Sequence, residues 1–433
     1  MPTTKKKINI VTLGCSKNLV DSEVLMKQLD GHYSIVNDSN EQSDIIVINT
    51  CGFINDAKEE SIDTILSAVQ AKKDGITEKV IVTGCLSQRY KEQLLGEIKE
   101  VDGFFGVNDL PEILNSLKVD YKKELVGERL LTTPSHYAYL KISEGCDRNC
   151  SFCAIPLIRG KHISKPKEEI VKEVEFLAAQ GVKEIMLIAQ DLTWYGIDIY
   201  KKRELPGLLN QISEVKGIEW IRLHYTYPAN FPSGLLKVMH SNPKICSYMD
   251  MPLQHINSRI LRSMKRGLGG DKTIDLLKKI KQAVPDVALR TTLIVGYPGE
   301  TEEEFNQLMD FVKDSKFERL GVFTYSPEED TSAFRLKDDI SDKVKEDRRD
   351  RLMMLQQEIS YELNKQKVGC VIKVIIDKKE GDNYIGRTEF DSPEVDNEVI
   401  INEYDNNINI GEFYDVTITD SDFFDLYGKV IKK

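Results

Sequence analysis

The chain has 433 residues, 41% of them hydrophobic and 30% charged, with 59 basic against 70 acidic side chains and a formal net charge of −11. That length predicts two or three domains, and that balance excludes a disordered chain. No stretch approaches the roughly eighteen uncharged apolar residues of a membrane-spanning helix, and an acidic chain is a poor default partner for nucleic acid.

At the N-terminus, Met1 to Lys7 leads into a short apolar run, Ile8–Leu13. The run is too short for a secretory core and no small-residue cleavage site follows, which predicts a cytoplasmic protein. Eight cysteines in so long a chain do not make a disulfide scaffold. In a reducing compartment, clustered cysteines more often bind metal or do chemistry.

Residues 1–122 read as a first domain of alternating strands and helices. A β-rich run at Lys7–Leu13 ends in Gly14-Cys15, and helical spacing follows over Asp21–Leu29. A buried-strand run at Asp44–Thr50 ends in Cys51-Gly52, with a helix from about Ala57 to Lys73. A third strand, Lys79–Thr83, ends in Gly84-Cys85. Strands alternating with helices imply a parallel, doubly wound α/β sheet. Cys15, Cys51 and Cys85 each lie just past a strand's C-terminal end, the edge where such sheets bind ligands. The trio therefore reads as a convergent cluster, against the alternative of three unrelated buried thiols.

Residues 117–137 are polar and irregular and read as a linker. A second domain, 132–367, carries strand candidates at Tyr137–Ile142, Glu184–Ile188, Trp220–Leu223, Tyr248–Met251, Ala288–Ile294 and Gly321–Thr324. Helices such as Lys167–Gln180 and Asp271–Ala283 separate them, which predicts a complete or partial β/α barrel. A charged helix, Asp342–Lys367, closes it with Leu352, Met353, Leu355 and Ile359 on one side. From Val368 the pattern turns to short β runs, which predicts a small all-β barrel of five strands over 368–433. That module holds fifteen Asp or Glu against seven Lys or Arg, a net −8. It reads either as a solubilising face or as a docking surface for a basic partner.

The chemistry sits in Cys146-Asp147-Arg148-Asn149-Cys150-Ser151-Phe152-Cys153, just after the first barrel strand. Three thiolates spaced Cys-x3-Cys-x2-Cys can hold three irons of a cubane cluster and leave the fourth open. A zinc site would use four ligands, and the nearest extra candidate is His162. The run Arg266–Thr273 lacks the Gly-Lys-Thr ending of a phosphate loop, because Asp271 precedes Lys272. Cys246 and Cys370 have no partners nearby and read as small core residues.

The cysteine loop on a six-unit barrel resembles the radical S-adenosylmethionine superfamily. With a doubly wound domain before it and a small β-barrel after it, the whole chain resembles the methylthiotransferases, whose last module is called a TRAM domain. The resemblance implies two 4Fe-4S clusters, one on Cys146, Cys150 and Cys153, which binds S-adenosylmethionine, and an auxiliary one on Cys15, Cys51 and Cys85. It implies S-adenosylmethionine as both methyl donor and radical source, and a sulfide or persulfide co-substrate. An electron donor such as flavodoxin is implied as well. Phe152, Gln190 and Gly296 are the candidates for contact with S-adenosylmethionine; Gln190 and Gly296 read equally well as parts of tight turns. One branch of the family modifies a transfer-RNA adenosine, another the β-carbon of an aspartate in small-subunit ribosomal protein twelve. The stretches Leu13–Glu23, Asn49–Ile54, Gly386–Glu394 and Asp425–Gly428 resemble the second branch, although Ser16 stands where Pro is common. The acidic last module points the same way, to a basic protein substrate, with no direct transfer-RNA binding and a monomer as the default.

Overall fold

A computed structural model describes residues 5–402 and 408–431. Met1–Thr4 and four charges of the last module, Glu403, Asp405, Lys432 and Lys433, lie outside the described residues. The chain forms two compact units. The first holds residues 1–133, 139–148 and 153–176, and the second holds 134–138, 149–152 and 177–433. No described helix is long and apolar enough to cross a membrane.

In the first unit, β1 (Lys7–Thr12), β2 (Ser34–Asn37), β3 (Ile45–Thr50), β4 (Lys79–Gly84) and β5 (Gly103–Phe104) form one sheet in the order β2-β1-β3-β4-β5. Every pairing is parallel. The period of two explains why helices cover both faces. Ile8, Ile10, Ile45, Val47 and Ile81 point to one core with Leu25, Met26, Leu29, Ile113 and Leu114. The alternate residues Ile48, Val80 and Val82 point to the other, with Ile65, Ala68, Val69 and Leu94. Each such side chain contributes about 1.5–3 kcal/mol on burial. In this strand order the chain turns back between β1 and β3, the switch point where doubly wound sheets open a crevice. Cys15 and Cys51 flank it.

The segment 117–137 is not a wholly solvated linker. Arg129 within it is buried, and its guanidinium donates to Glu23 Oε2 at 2.9 Å and to the Tyr139 carbonyl, with Glu173 Oε1 at 3.3 Å. The Thr132 N–H donates to Glu23 Oε1 at 2.8 Å. Lys118, Asp120, Lys123 and Glu124 are exposed, so the segment is solvated in part and tied down at Arg129.

The barrel sheet begins with β6 (Tyr137–Lys141), whose first two residues belong to the second unit. The short β7 (Ser143–Glu144) and β8 (Ile163–Ser164) belong to the first unit; in the second, the sheet continues with β9 (Glu184–Ile188), β10 (Trp220–Leu223), β11 (Ile245–Asp250), β12 (Ala288–Val295) and β13 (Arg319–Thr324). The order β13-β12-β11-β10-β9-β6 is sequential and open, a partial barrel. The helix Glu302–Ser315 starts with a capping box, Thr301 and Glu304 each serving the other's backbone N–H. The long helix runs over Asp342–Lys365. Its buried face holds Leu352 and Ile359 but also Gln356, Ser360 and Asn364, so it docks partly through hydrogen bonds. Gln356 donates to the Phe317 carbonyl at 2.8 Å, and Asn364 to that of Phe424 at 2.9 Å.

The last module, β14 (Val371–Glu380), β15 (Asn383–Thr388), β16 (Val399–Asn402), β17 (Phe413–Ser421) and β18 (Leu426–Val430), closes as the expected five-stranded barrel. Its charge is used differently from a simple acidic face. Arg387 donates two bonds to Asp377, at 2.6 and 2.9 Å, and two to Glu184 of β9, at 2.8 and 3.3 Å. Glu184 also accepts from Arg222 of β10 at 2.8 Å. Asp391 accepts from Arg319 of β13, and Asp396 from Tyr248 of β11 at 2.8 Å. Arg387, Asp391 and Asp396 therefore anchor the module to the barrel sheet, with Asp377 holding Arg387, and the net −8 overstates the charge it shows to solvent. Burial pushes the Glu184 carboxyl up, but Arg387 and Arg222 outweigh it and hold the group below its ordinary value. Cys246 is buried as expected, whereas Cys370 is exposed, because it lies between the end of the long helix and β14 rather than in a core.

Candidate iron–sulfur sites

The first trio is assembled by the sheet. Cys15 caps the helix Ser16–Leu29, Cys51 follows β3, and Cys85 opens the helix Cys85–Glu97. The loops touch. A Cβ on Gly14 would lie 2.8 Å from Cys51 Sγ, and one on Gly52 would lie 2.7 Å from the Leu86 Cα. Any side chain at either position would push the cysteine loops apart. All eight cysteines are free thiols. Cys51 and Cys85 are buried while Cys15 is exposed, so the trio opens to one side.

Polar groups hold the loops from below. Asn18 donates to the carbonyls of Leu13 (2.8 Å) and Thr50 (3.1 Å), the residues before Gly14-Cys15 and Cys51. The Cys51 N–H donates to Ser61 Oγ at 3.1 Å, and that hydroxyl donates back to the Cys51 carbonyl at 2.8 Å. Burial pushes the Cys85 thiol up to about 12, with Arg159 pulling it down. Burial raises the Cys51 thiol as well. Metal uptake at such thiols releases their protons and stabilises the thiolates. Among the described residues, no three His, Cys, Asp or Glu side chains gather closely enough for a single ion. The donor set of three converging sulfurs, open on one side, fits a larger multi-iron cluster with one position left to another ligand.

The second trio lies in the loop between β7 and β8, which pair antiparallel. In the first unit, the Cys146 N–H donates to the Gly160 carbonyl at 3.0 Å, and Cys146 Sγ accepts from the Arg148 N–H at 3.4 Å. His162 pairs through Nε2 with Ser164 Oγ at 3.0 Å. In the second unit, the Ser151 N–H donates to the Met264 carbonyl at 3.0 Å, and its carbonyl accepts from Ala333 at 2.7 Å. Cys150 Sγ has Arg266 Nη1 at 3.3 Å and the Tyr227 hydroxyl at 3.7 Å. Arg266, set aside in the sequence as part of a failed phosphate loop, thus meets a cysteine of this loop. Nothing in its local sequence signals that contact.

The other candidates have plain positions. Phe152 is half-buried against Ile260, Met264, Tyr297 and Tyr325. Gln190 lies just beyond β9, half-buried, at the sheet's C-terminal edge. Gly296 follows β12. Its N–H donates to Glu300 Oε2 at 2.5 Å, and the Lys345 stem fills the place a side chain would take.

Within the first unit the two cysteine loops are neighbours: Ala154, the residue after Cys153, packs with Ile158 against Cys85. A barrel sheet whose first strand leads into a three-cysteine loop, and a doubly wound sheet with three cysteines at its strand ends, define a radical S-adenosylmethionine enzyme of the methylthiotransferase class. Three family models agree with that architecture. Residues 7–106 match Uncharacterized protein family UPF0004, 140–312 the Radical SAM superfamily and 368–431 the TRAM domain. Ribosomal protein uS12 methylthiotransferase RimO of Christiangramia forsetii is 57% identical over 426 residues, covering 98% of this chain and 94% of that protein. The protein of the same name from Cytophaga hutchinsonii is 56% identical over 430 residues, covering 99% and 98%. The chain belongs to this RimO family, whose members carry two iron–sulfur clusters and use S-adenosylmethionine. Among solved structures, the radical S-adenosylmethionine methyltransferase TsrM from Kitasatospora setae matches with a TM-score of 0.55 at 13% identity, over 87% of this chain and 79% of that one. That likeness is one of fold.

Proposed function

We propose that this protein inserts a methylthio group at the β-carbon of an aspartate in ribosomal protein uS12. Cys146, Cys150 and Cys153 hold the radical-generating cluster, and Cys15, Cys51 and Cys85 hold the auxiliary cluster that presents sulfide or persulfide sulfur. The observation that carries this reading is the packing of Ala154 against Cys85, which places the residue after one expected ligand in contact with an expected ligand of the other cluster. When bound, the clusters and S-adenosylmethionine supply the radical, the methyl group and a site for the transferred sulfur.

The chain's own residues orient and shield that chemistry. Ser151 fixes the middle of the radical loop through its backbone and through its hydroxyl, 2.9 Å from that of Tyr297. Arg266 and Tyr227 place a cation and a hydroxyl at Cys150. Gln190 and the turn at Gly296 lie at the C-terminal edge of the barrel strands, where the cofactor belongs, and Phe152 packs the loop against the sheet. The domain limits 1–122, 132–367 and 368–433 assign one function each to sulfur delivery, radical generation and substrate capture.

For capture, the end of β17 presents the exposed Asp420, and the turn to β18, which Asp422 and Asp425 hold by accepting from backbone N–H groups, presents Phe423 and Phe424, which are 48% and 45% exposed. Carboxylates flanking exposed rings suit a Lys- and Arg-rich protein segment and would repel a nucleic-acid backbone. The setting we propose is the cytoplasm, where free cysteines persist and a flavodoxin-type donor can supply electrons to a monomeric enzyme.

The test is mass spectrometry of uS12 from cells with and without this gene. One methylthio group on a single aspartate, lost with the gene, is the expected result. An unchanged uS12, with a methylthio group missing from a transfer-RNA nucleoside instead, would replace the protein substrate with RNA.

A further inference from the structure

Arg159 ends the short helix after Cys153, and its side chain is 1% exposed. Nη1 donates to Asp21 Oδ2 at 3.1 Å and to Glu144 Oε2 at 2.9 Å. Nη2, at the other end of the fork, donates to Asn18 Oδ1 at 2.5 Å and lies 3.5 Å from Cys85 Sγ. Asn18 in turn holds the carbonyls of Leu13 and Thr50. One buried guanidinium thus reaches one cysteine directly and the loops of the other two through a single amide. Lys141 bonds the same two carboxylates, to Glu144 at 2.6 Å and to Asp21. The four charges cancel as a group, but only the guanidinium faces sulfur, with the carboxylates behind it.

We infer that Arg159 is a positioning residue that sets the reduction potential of the auxiliary cluster. This rests on the reading that Cys15, Cys51 and Cys85 hold that cluster. A thiolate-ligated cluster becomes more negative by one charge when it takes an electron. A fixed cation with an N–H aimed at a ligand sulfur stabilises that state, because potentials follow net charge and hydrogen bonds to sulfur. Low dielectric around the buried group strengthens the effect. Arg159 therefore raises the potential, and Asp21 moderates it from behind.

The experiment uses the full chain with Cys146, Cys150 and Cys153 all changed to Ala, so that only the auxiliary trio can hold iron. The reconstituted protein is reduced stepwise with dithionite, and the reduced cluster is followed by electron paramagnetic resonance. Arg159→Gln is expected to shift the one-electron equilibrium at least tenfold towards the oxidised cluster, about 59 mV. Asp21→Asn is expected to shift it the opposite way, and Arg159→Lys to stay nearer the parent than Gln does. Equal midpoints for Gln and parent at equal iron content would overturn the inference, as would Asn and Gln shifting in the same direction. If Arg159→Gln takes up no iron, Asp21→Asn decides, and an unraised midpoint there overturns it. A triple-Ala parent that binds no iron would instead remove the cluster assignment itself.

Discussion

The two cysteine trios reach similar donor sets by opposite routes. Cys146, Cys150 and Cys153 occupy eight consecutive residues of one loop, whereas Cys15, Cys51 and Cys85 are gathered by three parallel strands. The local trio depends on its loop being pinned, as Ser151 does through Met264 and Ala333. The dispersed trio depends on the whole sheet, and on Gly14 and Gly52 letting backbones meet. Their surroundings differ as well, with Arg266 at Cys150 and the balanced Arg159 group at Cys85. A motif can move between folds as a cassette, while a site distributed over a sheet cannot.

The sharpest way to break that comparison is to remove one ligand from each side. Cys150→Ala should abolish 5′-deoxyadenosine formation and leave iron equivalent to one cluster. Cys51→Ala should still cleave S-adenosylmethionine but yield no methylthiolated uS12. Product chromatography with iron analysis of both variants checks this. Cleavage retained in the first variant, or full methylthiolation by the second, would end the division of labour.

That contrast also explains what could be read before any coordinates. The local motif is visible in the sequence as a spacing alone. The dispersed trio was legible only through topology: three strand ends share an edge if the sheet is parallel, and it is. The closed last barrel was legible from its short β runs. The residues around the sulfurs were not. Asn18, Asp21 and Glu144 stood inside or beside recognisable stretches, but no periodicity pairs them with Arg159, which lies 141, 138 and 15 residues away. Buried ion pairs between distant segments leave only polar composition behind, which is why neither the anchor at Arg129 nor the buried carboxylates of the last module show in the sequence.

The next largest effect concerns the anchor of that module. Arg387→Met leaves Glu184 and Asp377 facing each other with less compensation, and breaking a buried pair in this way costs about 3–5 kcal/mol. Chemical denaturation should show it as a lowered midpoint. The same network sets an acid limit. The folded values of Glu184, Asp377 and Asp391 lie below the ordinary 4.5 and 3.8, since their Arg partners outweigh burial. A depressed carboxylate stabilises the fold above its unfolded value, and that stability drains as pH falls through the folded value. The described structure should therefore hold above about pH 4.5 and loosen below pH 4. Asp250, raised by burial despite Arg290, runs the other way and offsets a part.

The smallest effect separates anchored from displayed charge within one module. Asp420→Asn should leave the denaturation midpoint almost unchanged, because Asp420 is exposed, whereas Asp422 and Asp425 accept from the backbone N–H groups of Phe424, Asp425 and Glu398 and hold the turn. The change should weaken uS12 binding at low ionic strength, and less at high, since exposed charges are screened beyond about 10 Å at 0.1 M salt. Phe423→Ala should weaken binding with little salt dependence, because an exposed ring acts through desolvation. Binding measured at two ionic strengths distinguishes these. If the Asp420→Asn variant binds as tightly as the parent at low salt, that carboxylate only solubilises, and the acidic character of the module is explained by its buried anchors and by the charges elsewhere on its surface.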